Sequence, residues 1–136
     1  HYHMFEHELE REMIPFCAAY HVGILPYFPL AGGFLTGKYQ RGAPAPAGSR
    51  GETSTYVQAY MTEGNYDKLA ALQTWSAARG HTLAELAHVW LLAHPEVSSV
   101  ISGATSAEQL QSNAKSAAWS LTAAELAEVN ALLDGQ

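Results

Sequence analysis

The 136-residue sequence predicts an α/β fold made of parallel βα units, and three observations support this prediction. Apolar residues make up 48% of the chain and charged residues 15%, so the chain can form a packed core. Short apolar runs bounded by proline and glycine are typical of strands. Amphipathic segments that begin with Thr-x-x-Glu signatures are typical of capped helices, and they alternate with the apolar runs. A single domain over residues 1–136 is therefore expected.

The N-terminal half predicts a strand end, a helix, a strand and a long loop. Residues 1–5 are typical of a strand end, and residues 22–28 are apolar and cut by proline, as in a short buried strand. Residues 6–20 predict a helix whose apolar face is formed by Leu9, Met13, Phe16, Cys17 and Tyr20. Residues 30–64 are rich in glycine and predict one long irregular loop, which in a compact domain is usually functional or disordered.

The C-terminal half predicts four helices and one further strand. Asn65 is a candidate cap for a helix over residues 66–78. Residues 97–101 form an apolar run between Pro95 and Gly103, which predicts a strand. The last three helices are expected over 83–94, 106–117 and 123–133, with capping boxes at Thr82/Glu85, Thr105/Glu108 and Thr122/Glu125.

Charge and composition argue against several classes of protein. The net charge of −6, from 7 basic and 13 acidic residues, disfavours binding to nucleic acid or to an anionic membrane surface. No apolar run reaches 18 residues, and the first residues do not resemble a signal peptide. Cys17 is the single cysteine and cannot form an internal disulfide, which favours a cytoplasmic location. Its place on an apolar helix face predicts a buried thiol.

Two segments have the composition of a ligand site. Residues 101–109 combine a strand end, a glycine turn and a helix start, whose free N–H groups suit an anion such as phosphate. Gln109 and Asn113 are four residues apart and present their amides on one helix face. Residues 26–39 place an aromatic side chain at a strand end, before a glycine-rich stretch and Lys38. From these residues alone, an ordinary βα turn and a mobile loop with a solvated lysine remain open alternatives.

The seven histidines predict no metal site. None of their spacings matches a zinc-binding helix, and the sequence has no Cys-x-x-Cys. A serine hydrolase is not supported either, because there is no Gly-x-Ser-x-Gly and the aspartates are limited to Asp67 and Asp134.

Three stretches of the chain resemble the C-terminal half of the aldo-keto reductases, which are NADP-dependent (β/α)8 barrels. Residues 2–10 resemble the stretch after the sixth strand of that family, and residues 26–39 resemble the seventh strand with its loop. Residues 103–113 resemble the eighth-strand loop and are most similar to the branch that includes the potassium-channel β subunits. The resemblance implies strands 6–8 of a TIM barrel with their helices, in which residues 30–64 cover the cofactor.

The resemblance also implies which positions hold NADP(H). Tyr27 matches the aromatic residue that stacks on the nicotinamide ring. Lys38 and Arg50 match loop cations that reach the cofactor phosphates. The segment that lines the pyrophosphate matches Phe28, Pro29, Leu30 and Gly32. The residues that hold the adenosine 2′-phosphate and the adenine match Gly103, Thr105, Gln109 and Asn113.

By resemblance, the chain is the cofactor-binding half of an oxidoreductase that reduces aldehydes or ketones with NADPH. The catalytic Asp, Tyr, Lys and His of the family come from the other half of the barrel, so no residue of this chain is predicted to be catalytic. A small carbonyl compound is the expected substrate, and self-association or pairing with an N-terminal half is the expected interaction. The alternative is a non-catalytic half-barrel module that binds a nucleotide or a partner.

Overall fold

The computed structural model describes residues 1–135 and is dominated by helices. Two 3-10 helices, Glu8–Glu10 and Ala31–Thr36, lie in the N-terminal half. The α-helices are α1 (Met13–Tyr20), α2 (Arg50–Thr53), α3 (Thr55–Gln58), α4 (Glu63–Ala77), α5 (Leu83–Leu92), α6 (Ala107–Ser116) and α7 (Ala123–Asp134). Among these described residues, no helix combines the length and the apolar character needed to cross a membrane.

The predicted strands are present only as single β-bridges. The bridges are Ile24–Val97 and Tyr27–Ile101, both parallel, and His3–Glu6, which is antiparallel. The prediction of continuous strands over 22–28 and 97–101 is therefore wrong, although the parallel direction of their pairing is confirmed. Pro26 lies between the two bridged residues of the first segment and has no N–H to donate, which interrupts the ladder.

Helix α1 is shorter than predicted, and most of its apolar side chains are exposed. It begins at Met13, because Pro15 is tolerated in a first helical turn but would clash in the interior of a longer helix. Cys17 is buried, as predicted. In contrast, the exposed fractions of Met13, Phe16 and Tyr20 are 49%, 53% and 68%. The predicted apolar face therefore exists but packs against little of the described chain.

The prediction of one irregular loop over residues 30–64 is wrong. The 3-10 helix Ala31–Thr36 and the short helices α2 and α3 lie within this stretch, and α4 begins inside it. The hydroxyl of Thr62 caps α4 by accepting from the N–H of Asn65 at 3.3 Å, so Asn65 is not the cap that the sequence predicted. The Asn65 side chain instead donates to the carbonyl of Tyr60 at 3.0 Å.

Two of the three predicted capping boxes are confirmed. Thr82 and Thr122 each accept from the backbone N–H of the glutamate three residues later, and that glutamate accepts from the threonine N–H in return. The box predicted at Thr105 is wrong, because α6 begins one residue later than such a cap requires. Ser106 caps this helix by accepting from the N–H of Gln109 at 3.2 Å.

Helix α5 lies at the centre of the core. Seven of its ten residues are buried. Trp90 is completely buried, and its indole N–H donates to the side chain of Asn130 on α7 at 2.7 Å. Phe34 and Leu35, from the 3-10 helix Ala31–Thr36, are also completely buried in this core. Burial of these two side chains anchors the glycine-rich segment against the helical layer.

Candidate functional site

The parallel bridge between Tyr27 and Ile101 brings the two predicted ligand segments together. The N–H of Ile101 donates to the carbonyl of Pro26 at 2.8 Å. Because the pairing is parallel, both segments end at the same edge, which is where α/β proteins usually bind ligands. The aromatic end of the first segment, at Tyr27, therefore lies beside the turn that begins at Gly103.

Tyr27 presents an accessible ring within a cluster of aromatic side chains. Its side chain is 54% exposed, and its ring centroid lies 5.3 Å from that of His1. The His1 ring also lies 5.8 Å from the Phe28 ring and 5.5 Å from the Tyr56 ring. His1 Nε2 and the Tyr56 hydroxyl are 2.7 Å apart, which fixes the two rings relative to each other. An exposed aromatic face of this kind can stack with a flat ring of a ligand.

The backbone after Tyr27 makes a tight turn in left-handed conformations. Phe28 has φ of 67°, which is unfavourable for a residue with a Cβ and is typical of sites under functional constraint. Gly32 has φ of 66°, and a Cβ there would lie 2.4 Å from a methyl group of Val57. Only glycine therefore fits at position 32. Between them, Pro29 is buried and Leu30 is half-buried.

The side chain of Tyr39 forms hydrogen bonds to both this glycine segment and helix α2. Its hydroxyl donates to the carbonyl of Gly32 at 3.2 Å and accepts from the N–H of Gly51 at 3.0 Å. Tyr39 is 2% exposed, so water does not compete for these bonds. Arg50 precedes Gly51 in the chain and is therefore held next to the glycine segment.

Lys38 and Arg50 are exposed cations that flank this segment. The ammonium group of Lys38 lies 5.2 Å from the centre of the Tyr39 ring, and the guanidinium of Arg50 lies 5.7 Å from that of the Phe28 ring. Neither cation forms an ion pair within residues 1–135, whereas Arg41 is engaged by two carboxylates of α4. An anionic ligand could therefore reach Lys38 and Arg50 without breaking an existing ion pair.

Side chains of residues 103–113, the second predicted ligand segment along the chain, form hydrogen bonds within that segment. The amide oxygen of Gln109 accepts from the N–H of Thr105 at 2.8 Å and from its hydroxyl at 3.0 Å. The amide of Asn113 donates to the carbonyl of Gly103 at 3.4 Å. In the described part of the chain, the N–H groups of Gly103 and Ala107 donate to no acceptor, so this helix start retains free donors for an anion.

His3 is fully buried against the aromatic cluster. Its Nδ1 accepts from the N–H of Phe5 at 3.2 Å, and its Nε2 has no hydrogen-bond partner among residues 1–135. Its ring lies 4.8 Å from that of His1 and 5.3 Å from that of Tyr60. Burial, followed by repulsion from the positive N-terminus and His7, lowers the pKa of His3 to about 4, so the ring is neutral at pH 7.

The structure brings together the predicted residues between Tyr27 and Lys38, and it adds residues that the sequence did not indicate. These additions are His1 and Tyr56, whose rings lie close to those of Tyr27 and Phe28. Each is an aromatic residue without a local motif, so its proximity could not be inferred from spacing. Within residues 1–135, no group of three His, Cys, Asp or Glu side chains is placed to hold a metal ion.

The sequence matches one protein family over nearly its whole length. The family model described as "Aldo/keto reductase family" matches residues 1–134. The chain belongs to the aldo/keto reductase family. The resemblance that the sequence motifs indicated is thereby confirmed.

Curated relatives of this aldo/keto reductase chain include potassium-channel subunits and a reductase. It is 38% identical to a probable voltage-gated potassium channel subunit beta of Arabidopsis thaliana, over 84% of this chain and 36% of that protein. It is also 38% identical to L-glyceraldehyde 3-phosphate reductase of Escherichia coli K12, over 68% of this chain and 28% of that protein. The chain thus spans about a third of the length of these relatives.

A solved structure supports the fold assignment. The glycerol dehydrogenase of Gluconobacter oxydans superimposes with a TM-score of 0.82 at 24% identity, over 98% of this chain and 41% of that enzyme. This likeness shows that the chain shares the barrel fold of the family over part of that enzyme's length. The helices and parallel bridges described above are therefore elements of a (β/α)8 barrel.

Proposed function

We propose that this chain is the C-terminal, cofactor-holding part of an NADP-dependent oxidoreductase that reduces aldehydes or ketones. The proposal is carried by the parallel bridge between Tyr27 and Ile101, because it joins the two segments whose family counterparts hold opposite ends of the cofactor. The name of the Escherichia coli relative, a reductase of an aldehyde phosphate, is consistent with this reaction class.

The residues at this edge fit NADP(H) in shape and charge. The exposed ring of Tyr27 offers a stacking surface for the nicotinamide, and the backbone turn at Gly32 offers close approach to the pyrophosphate. Lys38 and Arg50 supply positive charge beside that turn. When bound, NADPH supplies the hydride that reduces the carbonyl carbon.

Selection of NADP over NAD would depend on Lys38 and Arg50 together with the backbone N–H groups of the Gly103–Asn113 segment. Gly103 and Gln109 are uncharged, so the segment that matches the family's 2′-phosphate site brings backbone N–H groups and amides but no cation. Lys38 and Arg50 are the cations that flank the glycine turn, and a charge-assisted contact from either would favour the phosphorylated cofactor. In this arrangement, residues 30–64 would cover the phosphates and would have to open for release.

The proton required for carbonyl reduction would come from residues outside this chain. Burial raises the pKa of Tyr60 above its usual range, and a hydrogen bond of 2.6 Å between the Tyr60 and Tyr56 hydroxyls raises it further. Burial also raises the pKa of Tyr2. Phenols with raised pKa values are weak proton donors, so we assign neither of them a catalytic role.

A partner-binding module is the second candidate, and the exposed face of α1 favours it. Phe16 and Tyr20 stack with a centroid distance of 4.6 Å on a surface that residues 1–135 do not cover. The chain also covers only 36% of its Arabidopsis relative, whose name describes a channel subunit. In this alternative, a second copy of the chain packs on this face.

Titration of the chain with NADPH and NADH tests the proposed function. Binding can be followed by energy transfer from tryptophan to the reduced nicotinamide, with circular dichroism as a control for folding. We expect saturable binding that is tighter for NADPH than for NADH. A folded chain that binds neither nucleotide would contradict the proposal and would favour the partner-binding module.

A further inference from the structure

His88 is a buried histidine on α5 whose protonation pattern can be derived from its contacts. Its exposed fraction is 4%. Nδ1 lies 2.7 Å from the carbonyl oxygen of Ala84, and Nε2 lies 2.8 Å from the hydroxyl oxygen of Ser102. A carbonyl oxygen can only accept, so Nδ1 carries the proton. In the neutral ring, Nε2 is then an acceptor, and the hydroxyl of Ser102 donates to it.

The neutral form of His88 is the one that its surroundings favour. Burial lowers the pKa of His88, and the hydrogen bond to Ala84 opposes this effect without cancelling it. The direction of the bond between Ser102 and His88 is therefore fixed at pH 7. A bond of fixed direction between two short side chains restricts the rotation of both.

Ser102 lies between the residue that forms the parallel bridge and the start of the segment predicted to hold the nucleotide. It follows Ile101, which is bridged to Tyr27, and precedes Gly103, which begins the segment assigned to the adenosine end of the nucleotide. Ser102 and His88 both line a cleft of about 340 Å³ between α5 and α6, together with Asn113. The hydrogen bond thus connects the rigid core helix to the point where the proposed subsite starts.

The backbone at Ser102 and Gly103 has few other restraints. Within the described residues, the N–H groups of Ser102 and Gly103 donate to no acceptor, and the restraint on the carbonyl of Gly103 is a long bond of 3.4 Å from Asn113. Gly103 has an open surrounding in which an added Cβ would meet nothing within 4 Å. A flexible glycine in an open setting requires a neighbour that fixes its orientation if its peptide groups are to bind an anion reproducibly.

We propose that His88 and Ser102 are positioning residues that hold the Gly103–Asn113 segment in the conformation that binds the adenosine 2′-phosphate end of NADP. This inference rests on the proposed function and deepens it. Neither residue touches the nucleotide in this scheme. The Ser102 hydroxyl, held by the buried imidazole, sets the orientation of the peptide that leads into Gly103, and the free N–H groups beyond it are thereby preorganised.

The test compares Ser102→Ala, Ser102→Thr and the control Ser99→Ala. Ser99 lines the same cleft and is exposed, but it forms no hydrogen bond within residues 1–135. Calorimetric titration with 2′,5′-ADP and with 5′-ADP measures the affinity of the adenosine end and its selectivity for the 2′-phosphate. Unfolding in urea is measured for each variant, so that a change in stability is not mistaken for a change in binding.

We expect Ser102→Ala to bind 2′,5′-ADP about fivefold more weakly and to lose selectivity over 5′-ADP, because one neutral hydrogen bond is removed. Ser102→Thr keeps the hydroxyl and should restore both values, and Ser99→Ala should match the wild type. In a His88→Leu background, Ser102→Ala should cause no further loss, since the acceptor is already absent.

The possible failures are distinguishable. If the wild-type chain binds 2′,5′-ADP but Ser102→Ala binds it equally well, or if Ser102→Thr fails to restore selectivity, the positioning role is wrong and the proposed function stands. If the folded wild-type chain binds neither 2′,5′-ADP nor NADPH, the proposed function is wrong and the positioning role is overturned with it.

Discussion

Tyr27 and Ile101 are joined by a parallel bridge, with the N–H of Ile101 donating to the carbonyl that precedes Tyr27. One residue pair therefore links a stacking surface to a helix start that has free backbone donors. The two features lie in distant parts of the sequence, and each is weak evidence for a ligand site when taken alone. Their adjacency makes a dinucleotide, with an aromatic ring at one end and phosphates further along, a suitable ligand.

The cations beside the glycine turn should contribute to nucleotide affinity. We expect Lys38→Ala and Arg50→Ala each to weaken NADPH binding roughly tenfold, because each removes a charge-assisted contact to phosphate. Arg11→Ala is the matched control, since Arg11 is also exposed and forms no ion pair within residues 1–135. Fluorescence titration provides the measurement, and unchanged affinity in both variants would remove these residues from the site.

The hydroxyl of Tyr39 should stabilise the folded chain. Tyr39→Phe deletes the bonds to Gly32 and Gly51 and leaves the buried N–H of Gly51 without its acceptor. We expect the free energy of unfolding to fall by about 1–3 kcal/mol in urea titrations. Tyr20→Phe is the control, because Tyr20 is 68% exposed and its hydroxyl makes no bond within the described chain. Equal stability of the two variants would contradict the role given to Tyr39.

Burial of His3 should make the chain less stable in mild acid. The pKa of His3 is lowered to about 4 in the folded state, whereas an unfolded histidine titrates near about 6.5. Between these values the unfolded state binds one more proton, so stability is complete above the unfolded pKa and is lost as pH falls towards the folded one. The loss amounts to roughly 3 kcal/mol at most.

A comparison of two histidine variants tests this pH dependence. His3→Gln should flatten the dependence of unfolding free energy on pH in this window, although it lowers stability at pH 7. His21→Asn should leave the dependence unchanged, since His21 is exposed and asparagine tolerates its positive φ of 55°. If both variants keep the slope of the wild type, the titration has another origin.

The start of helix α6 should depend on Ser106 through its capping bond. Ser106→Ala removes the acceptor for the N–H of Gln109 and should lower helix stability by about 1 kcal/mol. Glu108→Gln should have little effect, because Glu108 makes no capping contact within residues 1–135. Amide hydrogen exchange across residues 107–110 provides the measurement, and faster exchange in Glu108→Gln than in Ser106→Ala would support the capping box that the structure lacks.

The exposed face of α1 should promote association. We expect the chain to sediment as a reversible oligomer, because Phe16 and Tyr20 form an uncovered aromatic pair. Phe16→Lys combined with Tyr20→Lys should shift it to a monomer, whereas Leu110→Lys, at an exposed position on α6, should not. A wild-type chain that sediments as a monomer at all concentrations would argue against self-association through this face.

Features encoded within a few residues were predicted well from the sequence. The capping boxes at Thr82 and Thr122 depend on contacts three residues apart, and the helices that they open agree with the predicted ranges to within two residues. Helix α1 was predicted to be too long, because the apolar periodicity over residues 6–20 was given more weight than the limit that Pro15 sets on the helix start. The box at Thr105 failed because Ser106 is an equally good cap one residue later.

Features that depend on distant contacts were predicted less well. A continuous strand requires an unbroken run of hydrogen bonds to a neighbouring strand, and the proline noted at position 26 limits this pairing to single bridges. The role of Tyr39 depends on Gly32 and Gly51, whose backbone groups carry no signature in the sequence. The family motifs predicted where a nucleotide would bind, whereas the side chains that hold that edge in place became apparent from the structure.

The two hydrogen bonds of Tyr39 also have a kinetic consequence. Since one hydroxyl joins the carbonyl of Gly32 to the N–H of Gly51, the glycine turn and helix α2 cannot move apart unless at least one of these two bonds breaks. Opening of this region should therefore be slowed by the loss of a buried hydrogen bond. For a phosphate-bearing ligand that enters and leaves through this opening, the bonds of the Tyr39 phenol would contribute to the barrier of both steps.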